Sequence, residues 1–186
     1  MAQPQIPGFD DIAVVNKDLD HILSVQESLA VPRFTYEDAF NLGIALRERI
    51  LPHPKPTVIS IRQANNQHIL FQCTTGSGTL PDNDVWVARK TRTVLRFGVP
   101  TFYLHAKFEE DRSPYAGTSA AAEKAFAEKF GLGPEEAGQY AIHGGGVPVK
   151  VKGVEGVVAV VVVSGLKQYE DHEVVVEVMK KWIQTL

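Results

Sequence analysis

The sequence holds one cysteine, Cys73, so no intramolecular disulfide can form. That fits a reducing compartment. Cys73 lies in an apolar, strand-like run, and a buried structural thiol is expected there. Long hydrophobic runs are also missing. The longest, Val157 to Val163, falls far short of the roughly 20 residues that span a bilayer as a helix. Met1 to Gly8 has neither a basic start nor an apolar stretch, so no signal peptide is expected. Neither sign of charge dominates: the formal net charge is −3. No overall pull toward nucleic acid or an anionic membrane follows from it. These absences point to a cytoplasmic protein without nucleic-acid or membrane partners.

Compact catalytic signatures are absent too. There is no P-loop, no His-Glu-x-x-His and no Cys-x-x-Cys. Gly131-Leu132-Gly133 begins a dinucleotide fingerprint, but Glu136 stands where its third glycine belongs. His143-Gly144-Gly145-Gly146 matches the oxyanion element of some esterases, yet Ser164 lacks the preceding glycine of a nucleophile elbow. Motifs alone therefore leave open whether the chain is an enzyme.

What is present describes one ordinary domain of 186 residues, 44% apolar and 22% charged. A first helix is expected from Asp10 or Asp11, with Ile12, Val15, Leu19 and Ile22 at helical spacing and Pro32 as its latest end. Thr35 to Asp38 reads as a capping box that opens a second helix, whose inner stripe is Ala39, Leu42, Leu46 and Ile50. Thr57–Arg62 and His68–Cys73 alternate as a β-hairpin. A third helix runs from Asp82 to Phe97, closed by Gly98 and Pro100. Thr101–Ala106 reads as a short strand, and Ala-rich 118–130 as a helix in an exposed insertion. Tyr140–His143 and Val147–Lys152 read as strand pieces around the glycines. Val157–Val163 reads as a strand buried on both faces or in an interface. The final helix starts near Gln168, with Val175, Val178 and Trp182 on one face. The expected class is α+β, an antiparallel sheet with helices packed on its faces.

Three segments are candidates for chemistry. Gly144, Gly145 and Gly146 allow a bulge, a close backbone approach or an anion-binding set of N–H groups, with His143 directly before them. A bulge that serves only packing explains them equally well. Arg89, Arg92 and Arg96 recur at i, i+3 and i+7 on one helix face, with Trp86 a turn before Lys90. Such a stripe suits a small anionic ligand, a neighbouring subunit or plain solvent. His172 follows Glu170 and Asp171 at a helix start, where carboxylates serve the helix dipole. His143, His172 and a carboxylate could meet around a metal, but no recognised ligand spacing demands one.

The segments Phe34–Gly43, Asp82–Lys90, Leu95–Gly98, Tyr140–Gly146 and Ser164–His172 together resemble uncharacterised protein family 0303. That family is similar to the wider haem-degrading-domain superfamily, where Gly145-Gly146-Val147-Pro148 and Ser164-Gly165 have counterparts. The resemblance implies a profilin-like fold, with residues 1–33 as N-terminal tail and helix and 34–186 as the haem-degrading-like domain. It also implies a homo-oligomer. It carries over no catalytic residue. The expected function is binding of a small anionic or cofactor-like ligand. If the ligand is haem, His143 or His172 would be axial, the arginines would hold the propionates, and Trp86 and Phe97 would form the wall. The alternative is a protein-binding adaptor on a chaperone or protein-targeting assembly, with the Val157–Val163 strand and the arginine stripe serving subunit and partner contacts.

Overall fold

The computed structural model describes residues 17–111 and 117–186. Asp18 Oδ1 accepts the His21 N–H at 2.8 Å and opens α1 (Leu19–Ser28). The start expected at Asp10 or Asp11, with Ile12 and Val15, lies outside the described residues. The capping box is real: Thr35 N–H donates to Asp38 Oδ2 at 2.9 Å, and Asp38 N–H donates to Thr35 Oγ1 at 3.2 Å. It opens α2 (Tyr36–Ile50), whose inner stripe Ala39, Leu42, Leu46 and Ile50 is fully buried. A hairpin follows, β1 (Val58–Gln63) and β2 (Ile69–Thr74), then α3 (Pro81–Phe97). Gly98 closes α3 at φ 66°, a conformation that favours glycine. After it come α4 (Thr101–Phe108), α5 (Ala120–Lys129), the short α6 (Pro134–Ala137), β3 (Gly146–Val149), β4 (Ala159–Ser164) and α7 (Gln168–Ile183).

The four strands form one antiparallel sheet in the order β2-β1-β4-β3. Strand alternation divides its side chains between two cores. Ile59, Ile61, Val161 and Val163 face α2 and α7, while Val58, Val160 and Val162 face α3. The sheet is thus sandwiched between helices, as the patterning predicts for an α+β domain.

Four expectations change. The strand of consecutive valines begins at Ala159 rather than Val157, and it is paired on both sides, by β1 and β3. Its apolar character comes from two covered faces in the sheet centre, so it offers no subunit interface. Thr101–Ala106 is helical. Phe102 and Ala106 pack on Ile22 of α1 while Leu104 packs toward α5, so the segment lacks the polar face that would reveal its period. The Ala-rich helix is not simply exposed, since Ala122 and Phe126 are buried with Phe97, Phe108 and Tyr140 nearby. Tyr140–His143 is irregular rather than strand. Side chains of α3 hold it in place of a strand partner: Ala141 N–H donates to Thr93 Oγ1 at 3.0 Å, and Arg89 Nε donates to Tyr140 O at 2.9 Å.

The two sheet edges are treated differently. Beyond β3, Val31 N–H donates to Lys150 O at 2.9 Å, Lys152 N–H donates to Val31 O at 2.8 Å, and Gln26 Nε2 donates to Pro148 O at 3.1 Å. Pro148 itself is tolerated because it sits on an edge strand. The β2 edge lies beside an apolar patch, where Ile69 (46%), Phe40 (54%) and Tyr36 (66%) are exposed. Phe71 packs edge-on to Phe40 and lies over Gly43, where a Cβ would come within 2.4 Å of its ring. Cys73, on this edge strand, is half-buried rather than buried; burial raises its thiol pKa, and Arg47 opposes the shift. Among the described residues, no helix is long and apolar enough to cross a membrane.

Candidate functional site

The first turns of α3 and α7 open onto a cleft of about 420 Å³. Leu80, Asp82, Asn83, Trp86 and Lys90 come from the start of α3, and Gln168 and Asp171 from the start of α7. Lys55, Pro56, Gly78, His143 and the chain from Ser164 to Leu166 complete the lining. Each first turn is capped from within. Leu80 N–H donates to Asn83 Oδ1 at 2.8 Å, and Lys167 N–H donates to Glu170 Oε2 at 3.0 Å.

The floor of the cleft is a buried ion pair. Lys90 is 2% exposed and Asp171 3%. Lys90 Nζ donates to Asp171 Oδ2 and to Val163 O, each at 3.0 Å. Asp171 Oδ1 accepts the Leu166 N–H at 3.0 Å. Burial pushes the Asp171 carboxyl up, and Lys90 with the Leu166 and Gly165 N–H groups pulls it back. The sequence did carry a signal for Lys90. It falls in the buried stripe Val87, Lys90, Thr91, Val94, where an unpaired cation would not be tolerated.

The glycine run packs against this floor. Gly145 has φ 114°, and a Cβ there would lie 2.3 Å from Val163 O and 2.9 Å from Lys90 Nζ. A Cβ at Gly144 would lie 2.3 Å from Gln168 O, and one at Gly146 2.9 Å from Thr101 Cγ2. Close approach of the molecule's own atoms, backbone at Gly144 and Gly145 and side chains at Gly146, thus accounts for all three. Gly144 N–H donates to Gln168 Oε1 at 3.2 Å, and the same oxygen accepts the Thr118 hydroxyl at 3.0 Å. Thr118 Oγ1 lies 3.1 Å from Nδ1 of His105, a fully buried ring. His105 and Gln168 were not singled out in the sequence, because only the folded loops bring them together.

Of the other candidates, His143 and Trp86 meet at the cleft, with ring centroids 4.8 Å apart and edge to face. Trp86 Nε1 donates to Asp82 Oδ2 at 3.0 Å. Burial, then Lys90 and Arg89, lower the His143 pKa from 6.5 to about 4, so the ring is neutral at pH 7. Its Nδ1 is buried without a hydrogen bond, and Glu123 Oε1 stands 4.0 Å away, too far to supply one. His172 lies elsewhere, 4% exposed and stacked on Phe102 at 4.8 Å. Among the described residues, no three His, Cys, Asp or Glu side chains are grouped to hold a metal.

The arginine stripe turns toward residues 136–140 instead of the cleft. Arg89 lies over Trp86 and binds Tyr140 O. Arg92 binds the Gln139 side chain. Arg96 binds Glu136 at 3.1 Å and the Tyr140 hydroxyl at 2.8 Å. Phe97 packs with Phe126, Phe130 and Tyr140 on that side of the molecule, not in the cleft lining.

Burial lowers the pKa of His105 and His143 to about 4 and of His172 to about 3, against an ordinary 6.5. Each ring binds a proton more readily in the unfolded chain. Their contribution to stability is therefore complete above about pH 6.5 and drains as the pH falls toward 4. Urea midpoints should drop over that window, and His172→Phe, which keeps the ring stack, should flatten the drop. A variant curve parallel to that of the unmodified chain would contradict the assignment.

Known proteins resemble the chain in sequence and in fold. A family model described as "Haem degrading protein HbpS-like" matches residues 34–180. A UPF0303 protein of Streptomyces coelicolor is 40% identical over 158 residues, covering 85% of this chain and 89% of that protein. The UPF0303 protein YBR137W of Saccharomyces cerevisiae is 35% identical over 156 residues, 83% of this chain and 78% of that one. The crystal structure of Ybr137w superposes with a TM-score of 0.77 at 30% identity, covering 95% of each chain. The crystal structure of HbpS gives 0.55 at 20% identity, over 80% of this chain and 89% of that one, a likeness of fold. Matched in sequence over most of its length, the chain belongs to the HbpS-like haem-degrading-domain family and, within it, to uncharacterised protein family 0303.

Proposed function

We propose that the chain is a ligand-binding protein whose site is the cleft between α3 and α7, and that the ligand is small and anionic. The observation that carries this reading is His143. A neutral imidazole stands at the cleft, edge-on to Trp86, with a buried Nδ1 that has no hydrogen-bond partner among the described residues. Buried polar atoms are rarely left so; Gln26 Oε1, Thr91 Oγ1 and His172 Nδ1 share the condition among the described residues, and of the four residues His143 is the one that lines the cleft. Lys55 and Asp82 balance each other in the lining, and the first turns of two long helices add partial positive charge.

Haem fits these residues less well. His143 is in the neutral form that ligates iron. The lining, however, mixes Lys55, Asp82, Asn83, Lys90, Gln168 and Asp171 with only a few apolar side chains. The arginines that would hold propionates are committed to Tyr140, Gln139 and Glu136, and His172 is in the core. These groups do not make the dry, apolar slot that a macrocycle needs.

Nuclear magnetic resonance spectra of the full chain, titrated with benzoate and phenyl phosphate, test the reading. At least one probe should shift the Trp86 indole and His143 ring signals, and His143→Ala should weaken it several-fold. A Soret shift on haem addition that disappears in His143→Ala would replace this reading with haem binding.

A second reading is favoured by the patch of Tyr36, Phe40 and Ile69 beside the open β2 edge. Among the described residues β2 is paired on one side only, and such an edge next to exposed aromatic surface suits a second copy of the chain, paired antiparallel about a twofold axis. Light scattering should give a multiple of the 20.5 kDa chain mass, and Tyr36→Ser with Phe40→Ser should return it to one chain. A monomer at micromolar concentration before substitution would remove this reading.

A further inference from the structure

Ser164 ends β4, and the strand alternation that sends Val161 and Val163 toward α2 and α7 sends Val160, Val162 and Ser164 toward α3. Ser164 is 5% exposed and lines the cleft. Its hydroxyl has no hydrogen-bond partner among the described residues and, unlike the fully buried orphan atoms such as Thr91 Oγ1, keeps surface for a guest in the cleft to reach. Beside it, the Lys90 ammonium uses two of its three N–H groups, on Asp171 Oδ2 and Val163 O. The third N–H has no acceptor among the described residues, and Lys90 also lines the cleft. Two donors are therefore unfilled at one floor.

The charge there selects among anions. Asp171 already neutralises Lys90, and the other carboxylate of the lining, Asp82, balances Lys55, so the partial charges at the starts of α3 and α7 are the remaining positive groups. That balance suits one negative charge rather than a phosphate dianion. Trp86, Pro56 and Leu80 offer flat apolar walls to whatever carries the charge.

We infer that Ser164 and Lys90 form the recognition floor for a single carboxylate carried on a flat ring, the ring lying against Trp86. The inference rests on the cleft being the ligand site and names the ligand's class and its anchor, Ser164.

The probes are benzoate, its neutral analogue benzamide, and phenyl phosphate, each titrated into the full chain with amide and indole signals followed. Benzoate should shift Ser164, Gly165 and the Trp86 indole and should bind more tightly than either of the others. Ser164→Ala and the near-isosteric Ser164→Cys should each weaken benzoate about tenfold, as loss of a hydrogen bond to a charged group does. Amide signals far from the cleft should stay in place in both variants, which shows that the fold is kept. Benzoate affinity unchanged in both variants overturns the role of Ser164 while leaving the cleft as the site. Tighter binding of phenyl phosphate overturns the single-charge class. No shift at the cleft with any probe at about 10 mM, the weak end of measurable affinity, overturns the ligand-binding reading and this inference together.

Discussion

The pair Lys90–Asp171 is the interaction around which the rest of the structure is arranged. Two charges taken out of water are tolerated only when their remaining hydrogen-bonding capacity is filled. Here Val163 O fills part of the lysine's capacity, and the Leu166 N–H part of the carboxylate's. Those contacts bring the middle of α3, the end of β4 and the first turn of α7 to one point. Gly145 follows from the same demand. With a Cβ 2.8 Å from that of Asp171 and 2.9 Å from Lys90 Nζ, a side chain there would push into the pair. Gly145, the centre of the glycine run, is the space that this pair requires.

The cleft above the pair inherits its geometry. His143 stands where the chain enters the glycine run, and Gly144 holds the Gln168 side chain by its N–H. Ser164 stands where β4 ends over the floor. The groups that line the cleft are thus carried by helix and strand termini pinned by a buried charge pair, an arrangement that holds them in fixed positions. The arginines do a different task. By binding Glu136, Gln139 and Tyr140 they fasten an irregular segment that has no strand partner.

Local chemistry was legible in the sequence and distant closure was not. The Thr35–Asp38 box, the buried stripe of α2 and the glycine cap of α3 each depend on neighbours within a few residues, and each was readable. The antiparallel sheet followed from alternation, while His143 and Trp86, singled out by residue type, meet at the cleft. Helix α4 was misread because α1 covers one side and α5 the other, which erases its polar face. The valine strand was read as buried on both faces or in an interface, and pairing with β1 and β3 decides for the first. Lys90 and Asp171 are 81 residues apart. Nothing local announces their meeting, although a lysine inside an apolar helical stripe requires some buried partner.

The most direct test of this account is the stability cycle on the central pair, measured by urea unfolding at pH 7. Lys90→Met and Asp171→Leu should each cost about 3–5 kcal/mol, because each leaves a buried charge alone, while the double variant should recover most of that loss. Single variants that cost less than about 1 kcal/mol, as separated or solvent-exposed charges would, contradict it.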